Sequence, residues 1–158
     1  MLTPNPTEAE VQSPAGASPR LVVHHPNLNL IYYVNEAGDS VSLYSVNPTT
    51  GRLTVGQTIT TLPRGVDPST NTCADLHMSH DRKFLYASNR GHNSLAIFSV
   101  AADGRLTAIG HQLVPGIPKS FEIDPTGRYL YVAGLTANKL SSYRIGSNGL
   151  LTPIESLS

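Results

Sequence analysis

The sequence has few charged residues, one cysteine and no long hydrophobic run. Charged residues make up 14% of the chain, against about 25% in typical domains. Lys plus Arg equals Asp plus Glu at 11 each, so the chain lacks the net field that attracts nucleic acid or an anionic membrane. The single Cys73 cannot form an internal disulfide. A lone thiol is typical of a reducing compartment, and we therefore expect a cytoplasmic protein.

Helical periodicity and targeting signals are missing as well. No apolar stretch approaches the roughly 18 residues that span a bilayer, and no segment sustains a 3.6-residue period. The N-terminus has neither the cationic start nor the apolar run of a signal peptide. Its Pro, Ser and Ala content predicts a poorly ordered lead-in over residues 1–18. The chain is rich in turn-forming residues, with 13 Gly and 12 Pro. This composition favours short strands joined by tight loops.

Three segments of the chain repeat one pattern of strands and turns. Asn35 aligns with Asn89 and then with Gly134, and "GRLT" at Gly51 recurs at residue 104 and as "GLLT" at residue 149. Each unit reads as four short strands, which is typical of a β-propeller blade. We predict an all-β fold with one partial propeller over residues 19–158. Its blades are expected at residues 19–62, 74–114 and 119–157.

Three blades form an open arc. Propellers close with about 4 to 8 blades, because an unclosed stack exposes apolar faces and strand edges. We therefore expect either a fragment of a longer product or a chain that associates with another copy through its open edges.

At one edge of each predicted blade the repeats differ in chemistry. The strands of a meander alternate in direction, so the residue before the first strand and those after the second meet at this edge. The polar residues there are Arg20, Glu36, Arg90 and His92 in the first two repeats and Lys119 in the third. One equivalent position in the repeats is filled by Glu36, Arg90 and Leu135, whose side chains are acidic, basic and apolar. This variation favours a functional role for the position over a purely structural one. An isolated surface arginine in a hairpin turn is also ordinary, and Gly91 has a purely structural explanation in a turn that needs positive φ.

Three stretches resemble the lactonase family of seven-bladed β-propellers, of the 6-phosphogluconolactonase and carboxy-cis,cis-muconate cyclase type. They are "SPRLVVHHPNLNLIYYVNE", "NTCADLHMSHDRKFLYASNRGHNSLAIFSV" and "PKSFEIDPTGRYLYVAG". The resemblance covers about residues 13–152, and "SNRGH" with its flanking strands is its most specific part. The sequence departs from the family pattern at Leu21, where a His usually follows Pro-Arg, at Asp75, where Glu is common, and at Lys119, which replaces Arg.

The resemblance implies a lactonase that opens a sugar-acid lactone such as 6-phosphogluconolactone without a metal or cofactor. It implies that Arg20, Glu36 and Arg90 are catalytic, together with a His on a blade upstream of this chain. In such chemistry the guanidinium groups of Arg20 and Arg90 bind the substrate anion or the developing oxyanion, while Glu36 acts as acid and base or as an orienting group. His92 and Lys119 are expected as further substrate contacts, although His92 could equally cap the turn.

Other chemistry-bearing residues have structural explanations. His77 and His80 invite a metal interpretation, but one lies in a strand and the other in a turn, so we expect no metal site. Cys73, placed just before a first strand, is expected to be a small packing residue. The equivalent tyrosines 32, 86 and 131 are expected to pack between blades. The alternative to an enzyme is a non-catalytic propeller module that binds a ligand or protein through the same arc.

Overall fold

The computed structural model describes residues 10–157, and the side chains of residues 155–157 lie outside that description. Within this range the chain forms twelve β-strands and one 3-10 helix, Pro68–Thr70. The strands are β1 (Pro19–His24), β2 (Leu30–Asn35), β3 (Ser40–Val46), β4 (Leu53–Thr60), β5 (Thr72–Met78), β6 (Phe84–Arg90), β7 (Ser94–Val100), β8 (Leu106–Leu113), β9 (Pro118–Ile123), β10 (Tyr129–Gly134), β11 (Lys139–Ile145) and β12 (Leu151–Leu157).

Consecutive strands pair antiparallel into three four-stranded sheets, which we call blade 1 (β1–β4), blade 2 (β5–β8) and blade 3 (β9–β12). Each blade is a simple meander, and the predicted all-β fold of partial-propeller type is confirmed. In the part of the chain that the structure describes, no helix is long and apolar enough to cross a bilayer.

The first strands of blades 2 and 3 begin one or two residues earlier than the sequence pattern predicted. Thr72 pairs with Arg90, and Pro118 pairs with Gly134. Cys73 therefore lies inside β5, and its placement before the strand was wrong. The reason is that each first strand extends as far as the second strand pairs with it, and the second strand continues beyond its own apolar residues.

The chain segment before blade 1 is hydrogen-bonded to the turn between β2 and β3. We call the edge of the blades at which this turn lies the upper edge. Residues 1–9 of the predicted lead-in lie outside the described residues. In the remainder, Ala17 is buried, and its carbonyl oxygen accepts the Gly38 N–H at 3.1 Å. The Ser18 carbonyl accepts the Glu36 N–H at 2.9 Å, so this segment holds the turn that carries Glu36.

Two apolar clusters fill the spaces between neighbouring blades. The first lies between blades 1 and 2 and includes Tyr32, Val41, Leu76 and Phe98. The second lies between blades 2 and 3 and includes Tyr86, Leu95, Phe121 and Tyr143. Blade 2 thus packs one face against blade 1 and the other face against blade 3.

A tyrosine in the second strand joins each blade to the next. The Tyr32 hydroxyl donates to the carbonyl oxygen of Gly104 at 2.8 Å, and the Tyr86 hydroxyl donates to that of Gly149 at 2.9 Å. Both tyrosines are fully buried, so the predicted packing between blades is confirmed for these two. Tyr131 occupies the same position in blade 3 but is 40% exposed.

Candidate active site

The upper edge of blades 1 and 2 brings three charged side chains together. Arg20 is the second residue of β1, Glu36 directly follows β2, and Arg90 ends β6. The Glu36 backbone fixes this arrangement, because its N–H donates to Ser18 and its carbonyl accepts the Cys73 N–H at 2.9 Å. The turn after β2 is therefore bound to the residue that precedes β1 and to the first strand of blade 2.

Glu36 is held between two guanidinium groups. Arg20 Nη1 donates to Glu36 Oε2 at 3.0 Å, and Arg90 Nη2 donates to Glu36 Oε1. The Arg90 side chain is 16% exposed, whereas those of Arg20 and Glu36 are 39% and 33% exposed. The three side chains, which we call the Arg–Glu–Arg triad, carry a formal net charge of about +1 at neutral pH, so the triad can attract an anion.

The two arginines control the ionisation of Glu36. Hydrogen bonds from Arg90 and then from Arg20 hold the pKa of the Glu36 carboxyl below its ordinary value. The carboxylate is therefore ionised at neutral pH and is a weak proton acceptor. This geometry favours an orienting role for Glu36 over a role as general base.

Arg90 reaches beyond Glu36. Its Nη2 also donates to the Cys73 carbonyl at 3.0 Å, while its buried Nε has no hydrogen-bond partner among the described residues. Arg90 borders an open depression of about 320 Å³, together with Thr70, Thr72, Gly91, Asn93 and Ile117. A buried donor without a partner is uncommon in folded proteins.

Gly91 allows the Arg90 turn to approach the 3-10 helix closely. Its φ is +133°, and a Cβ there would lie 2.4 Å from the Thr70 carbonyl oxygen and 2.8 Å from the Asn71 Cα. The expectation of a positive φ at Gly91 is confirmed, and the close approach adds a second reason for glycine.

Asn71 and Asp39 position this turn, and the sequence interpretation missed both. Asn71 Oδ1 accepts the His92 N–H at 3.0 Å, and its Nδ2 donates to Asp39 Oδ1 at 2.6 Å. A signal was present, since Asp39, Asn93 and Asn138 fill one turn position, all with positive φ. Asx residues tolerate this conformation and can hydrogen-bond neighbouring backbone from it.

The other two predicted contacts stand apart from the triad. The His92 ring Nδ1 forms a hydrogen bond of 2.8 Å with Ser94 Oγ, and its ring lies 6.2 Å from that of His111. Lys119 is exposed near the start of β9. Within residues 10–157, neither side chain has a hydrogen bond to Arg20, Glu36 or Arg90.

His77 lies between two carboxylates at the junction of blades 2 and 3. Its Nε2 is 3.1 Å from Asp75 Oδ1, and its Nδ1 is 3.7 Å from Glu122 Oε1. Burial favours the neutral ring, but the bond to Asp75 and the charges of both carboxylates outweigh burial and raise the pKa of His77. His80 lies elsewhere, in the turn before β6, against Gly127. The two histidines thus have separate local roles.

Asp75 fixes the first strand of blade 3. Its Oδ2 accepts hydrogen bonds at 3.0 Å from both the Ser120 hydroxyl and the Phe121 N–H. These bonds cross from blade 2 to blade 3, so Asp75, where the resemblance led us to expect Glu, helps to hold these two blades together.

Comparisons with known proteins agree with this architecture. The family described as "Lactonase, 7-bladed beta-propeller" matches residues 2–157. A 6-phosphogluconolactonase of Pectobacterium carotovorum is 39% identical over 149 residues, which are 93% of this chain and 45% of that protein. A 6-phosphogluconolactonase of Yersinia pestis is 35% identical over 98% of this chain and 46% of its own length. The chain therefore spans about half the length of the curated relatives it matches.

A solved structure supports the same assignment. The Pseudomonas aeruginosa periplasmic gluconolactonase superposes with a TM-score of 0.86 at 28% identity, over 93% of this chain and 41% of that one. The expected cytoplasmic location of the present chain remains a prediction. This chain belongs to the lactonase family of seven-bladed β-propellers.

Proposed function

We propose that this chain carries the anion-binding part of a lactonase site, for a sugar-acid lactone such as 6-phosphogluconolactone. The observation that supports the proposal most directly is Arg90, which both binds Glu36 and borders the 320 Å³ depression. Relatives named 6-phosphogluconolactonase and gluconolactonase supply the substrate class.

The proposed roles follow from the charges and contacts. Arg20 and Arg90 bind the phosphate or carboxylate of the substrate, or the oxyanion that develops when water attacks the lactone carbonyl. Glu36 holds both guanidinium groups in place. Because its pKa is lowered, we assign removal of the water proton to the histidine that the family resemblance places on an earlier blade. His92 and Lys119 are proposed as secondary contacts, with Lys119 supplying a third cation at this edge.

Binding and turnover can be measured separately on the 158-residue chain. We expect 6-phosphogluconate, the hydrolysis product, to bind by isothermal titration calorimetry. Arg90→Met should weaken binding at least about tenfold, because a hydrogen bond to a charged group is lost. The matched control is Arg105→Met, which removes an exposed arginine from the turn before β8. Equal affinities of the two variants would refute the assigned role of Arg90.

Hydrolysis of 6-phosphogluconolactone, followed by acid release, tests the catalytic part of the proposal. Turnover that Arg90→Met lowers and Arg105→Met leaves intact supports a working lactonase site. Specific binding without turnover above the spontaneous rate is the result expected of a chain that carries only the anion-binding part of the site, whereas a non-catalytic module for another ligand should bind 6-phosphogluconate no better than Arg90→Met does.

A further inference from the structure

We propose that Asn71 is the positioning residue that holds Arg90 against Glu36, and that it thereby sets the affinity of the anion site. Asn71 caps the C-terminal end of the 3-10 helix, directly before β5, and is 6% exposed. The effect on affinity rests on the proposed function, whereas the effect on the ion pair between Glu36 and Arg90 is measured without any substrate.

The side-chain amide of Asn71 bonds to both turns that carry the ion pair. Its Nδ2 donates to Asp39 Oδ1 at 2.6 Å, and Asp39 is the last residue of the β2–β3 turn that begins at Glu36. Its Oδ1 accepts the His92 N–H at 3.0 Å, in the turn that follows Arg90. The amide therefore fixes the distance between the turn of blade 1 and the turn of blade 2.

Asn71 also contacts the chain on both sides of Arg90. Its Nδ2 donates to Asn89 Oδ1 at 3.2 Å, so the amide is bonded to the residue before Arg90 and to the second residue after it. Between these two bonds lies Gly91, where a Cβ would stand 2.8 Å from the Asn71 Cα. The Arg90 turn thus packs on the Asn71 backbone and is bonded to its side chain, and we expect loss of the amide to shift the guanidinium.

The contacts of Asn71 require an amide in one orientation. The Nδ2 faces two oxygen acceptors, on Asp39 and Asn89, and the Oδ1 faces a backbone N–H. A carboxylate has no hydrogen to donate to Asp39, and a hydroxyl has only one donor. Burial raises the pKa of the Asp39 carboxyl, and the bond from Asn71 opposes that rise. The amide therefore also offsets the cost of burying this carboxyl group.

The contact between neighbouring blades does not itself require this amide. The strand register makes Ala17 in blade 1 and Gly116 in blade 3 equivalent to Asn71. At the junction of blades 2 and 3, the turn residue Asn93 accepts the Ile117 backbone N–H at 2.8 Å instead. A backbone N–H is thus sufficient there, and the side-chain amide occurs at the junction that carries the Arg–Glu–Arg triad. This difference favours a role in the site over a role in the scaffold alone.

The pKa of Glu36 tests the role of Asn71 without a ligand. Carbon-13 NMR of the side-chain carboxyl groups gives this pKa by titration. In Asn71→Ala the pKa should rise from its lowered value toward that measured in Arg90→Met, because the guanidinium is no longer held beside the carboxylate. A pKa that Asn71→Ala leaves unchanged would overturn the proposal.

Gln57→Ala is the matched control for this substitution. The Gln57 side chain is also an amide that bonds in both directions between blades 1 and 2, since it accepts the Leu106 N–H at 2.8 Å and donates to the Leu106 carbonyl at 2.9 Å. It lies in β4, the outermost strand of blade 1, away from the triad. An equal rise of the Glu36 pKa in Gln57→Ala would mean that any lost amide at this junction has the effect, and would overturn the proposal.

A double variant separates positioning from stability. Asn71→Ala leaves the buried Asp39 carboxyl without its closest donor, which destabilises the fold. Adding Asp39→Asn removes the buried charge, so the double variant should be more stable to urea than Asn71→Ala while the two turns stay unlinked. Its Glu36 pKa should therefore remain raised. A pKa that returns to the wild-type value together with the stability would show that Asn71 acts on stability alone, and would overturn the proposal.

The affinity for 6-phosphogluconate tests the step that rests on the proposed function. By isothermal titration calorimetry, Asn71→Ala should weaken binding about fivefold, because a hydrogen bond to a charged group is misaligned. In the Arg90→Met background it should change the affinity by less than about twofold, since the residue through which Asn71 acts is gone. Equal losses in the two backgrounds would overturn the proposal. If the wild-type chain does not bind 6-phosphogluconate, the proposed function fails, and the Glu36 pKa still decides whether Asn71 positions Arg90.

Discussion

The junction between blades 1 and 2 and the junction between blades 2 and 3 share one frame and differ in their polar groups. Both use a second-strand tyrosine that donates to a glycine carbonyl, and both enclose an apolar cluster. The first junction carries the Arg–Glu–Arg triad at its upper edge. The second has Asp75 and His77 bound to the first strand of blade 3.

The difference shows which contacts belong to the scaffold. The tyrosine and glycine recur at both junctions, as expected of contacts that hold neighbouring blades together. The charged groups do not recur, since the turn position of Arg90 is filled in blade 3 by Leu135, which is 55% exposed. Functional residues are therefore expected at positions that are equivalent in the backbone of each blade but carry different side chains.

The largest effect is expected from the glycine turns. Gly149→Ala should lower the free energy of unfolding by about 3 kcal/mol, combining left-handed strain with overpacking against the Phe84 ring. At Gly104 the obstructing atom is the tip of Leu30, which can move, so we expect a smaller loss of about 2 kcal/mol. Urea unfolding at low micromolar concentration measures both.

Gly51→Ala is the matched control for these two substitutions. Its φ is similarly positive but its surroundings are open, so only the strain of about 1 kcal/mol should remain. Equal losses at all three glycines would show that packing against the neighbouring blade contributes nothing.

The two tyrosines should behave alike. Tyr32→Phe and Tyr86→Phe each leave a buried glycine carbonyl without its donor, and each should cost about 1 kcal/mol. Because they lie at different junctions, the double variant should show the sum of the two losses. A marked departure from additivity in urea unfolding would mean that the junctions are not independent.

The smallest effects concern pH, and their signs are opposite at the two junctions. The pKa of Glu36 is lowered by Arg90 and Arg20. The stability it contributes is present above its unfolded pKa and is lost as pH falls through its folded pKa. For His77, burial opposes protonation, but Asp75 and Glu122 raise the pKa. Its contribution is present below the unfolded pKa and is lost as pH rises through the folded one.

Stability measured against pH separates these contributions. The difference between the wild type and Glu36→Gln should shrink toward acid pH, and that between the wild type and His77→Gln should shrink above neutral pH. Partly exposed ion pairs contribute at most about 1 kcal/mol each. A His77→Gln difference that is constant across neutral pH would refute the charged form of this histidine.

Much of this arrangement could be predicted from the sequence because it repeats. The recurrence of "GRLT" and of Asn35 at Asn89 revealed the blades, and the changing residue at the turn indicated Arg90 and Glu36. The resemblance to lactonases indicated the substrate class. The turn position of Asp39 carried a signal, but the contact of Asp39 with Asn71 could not be predicted, because it joins residues 32 positions apart in the chain.

The sequence by itself determined the strand order, the turn positions and the family, since these depend on local periodicity and turn chemistry. Only the tertiary structure decided that Glu36 lies between Arg20 and Arg90, whose hydrogen bonds lower the pKa of its carboxyl. Only the tertiary structure decided, too, that the Asn71 amide bonds to the turn of blade 1 and to the turn of blade 2. Both results depend on how one blade packs on the next, and that packing brings together groups that no short stretch of sequence contains.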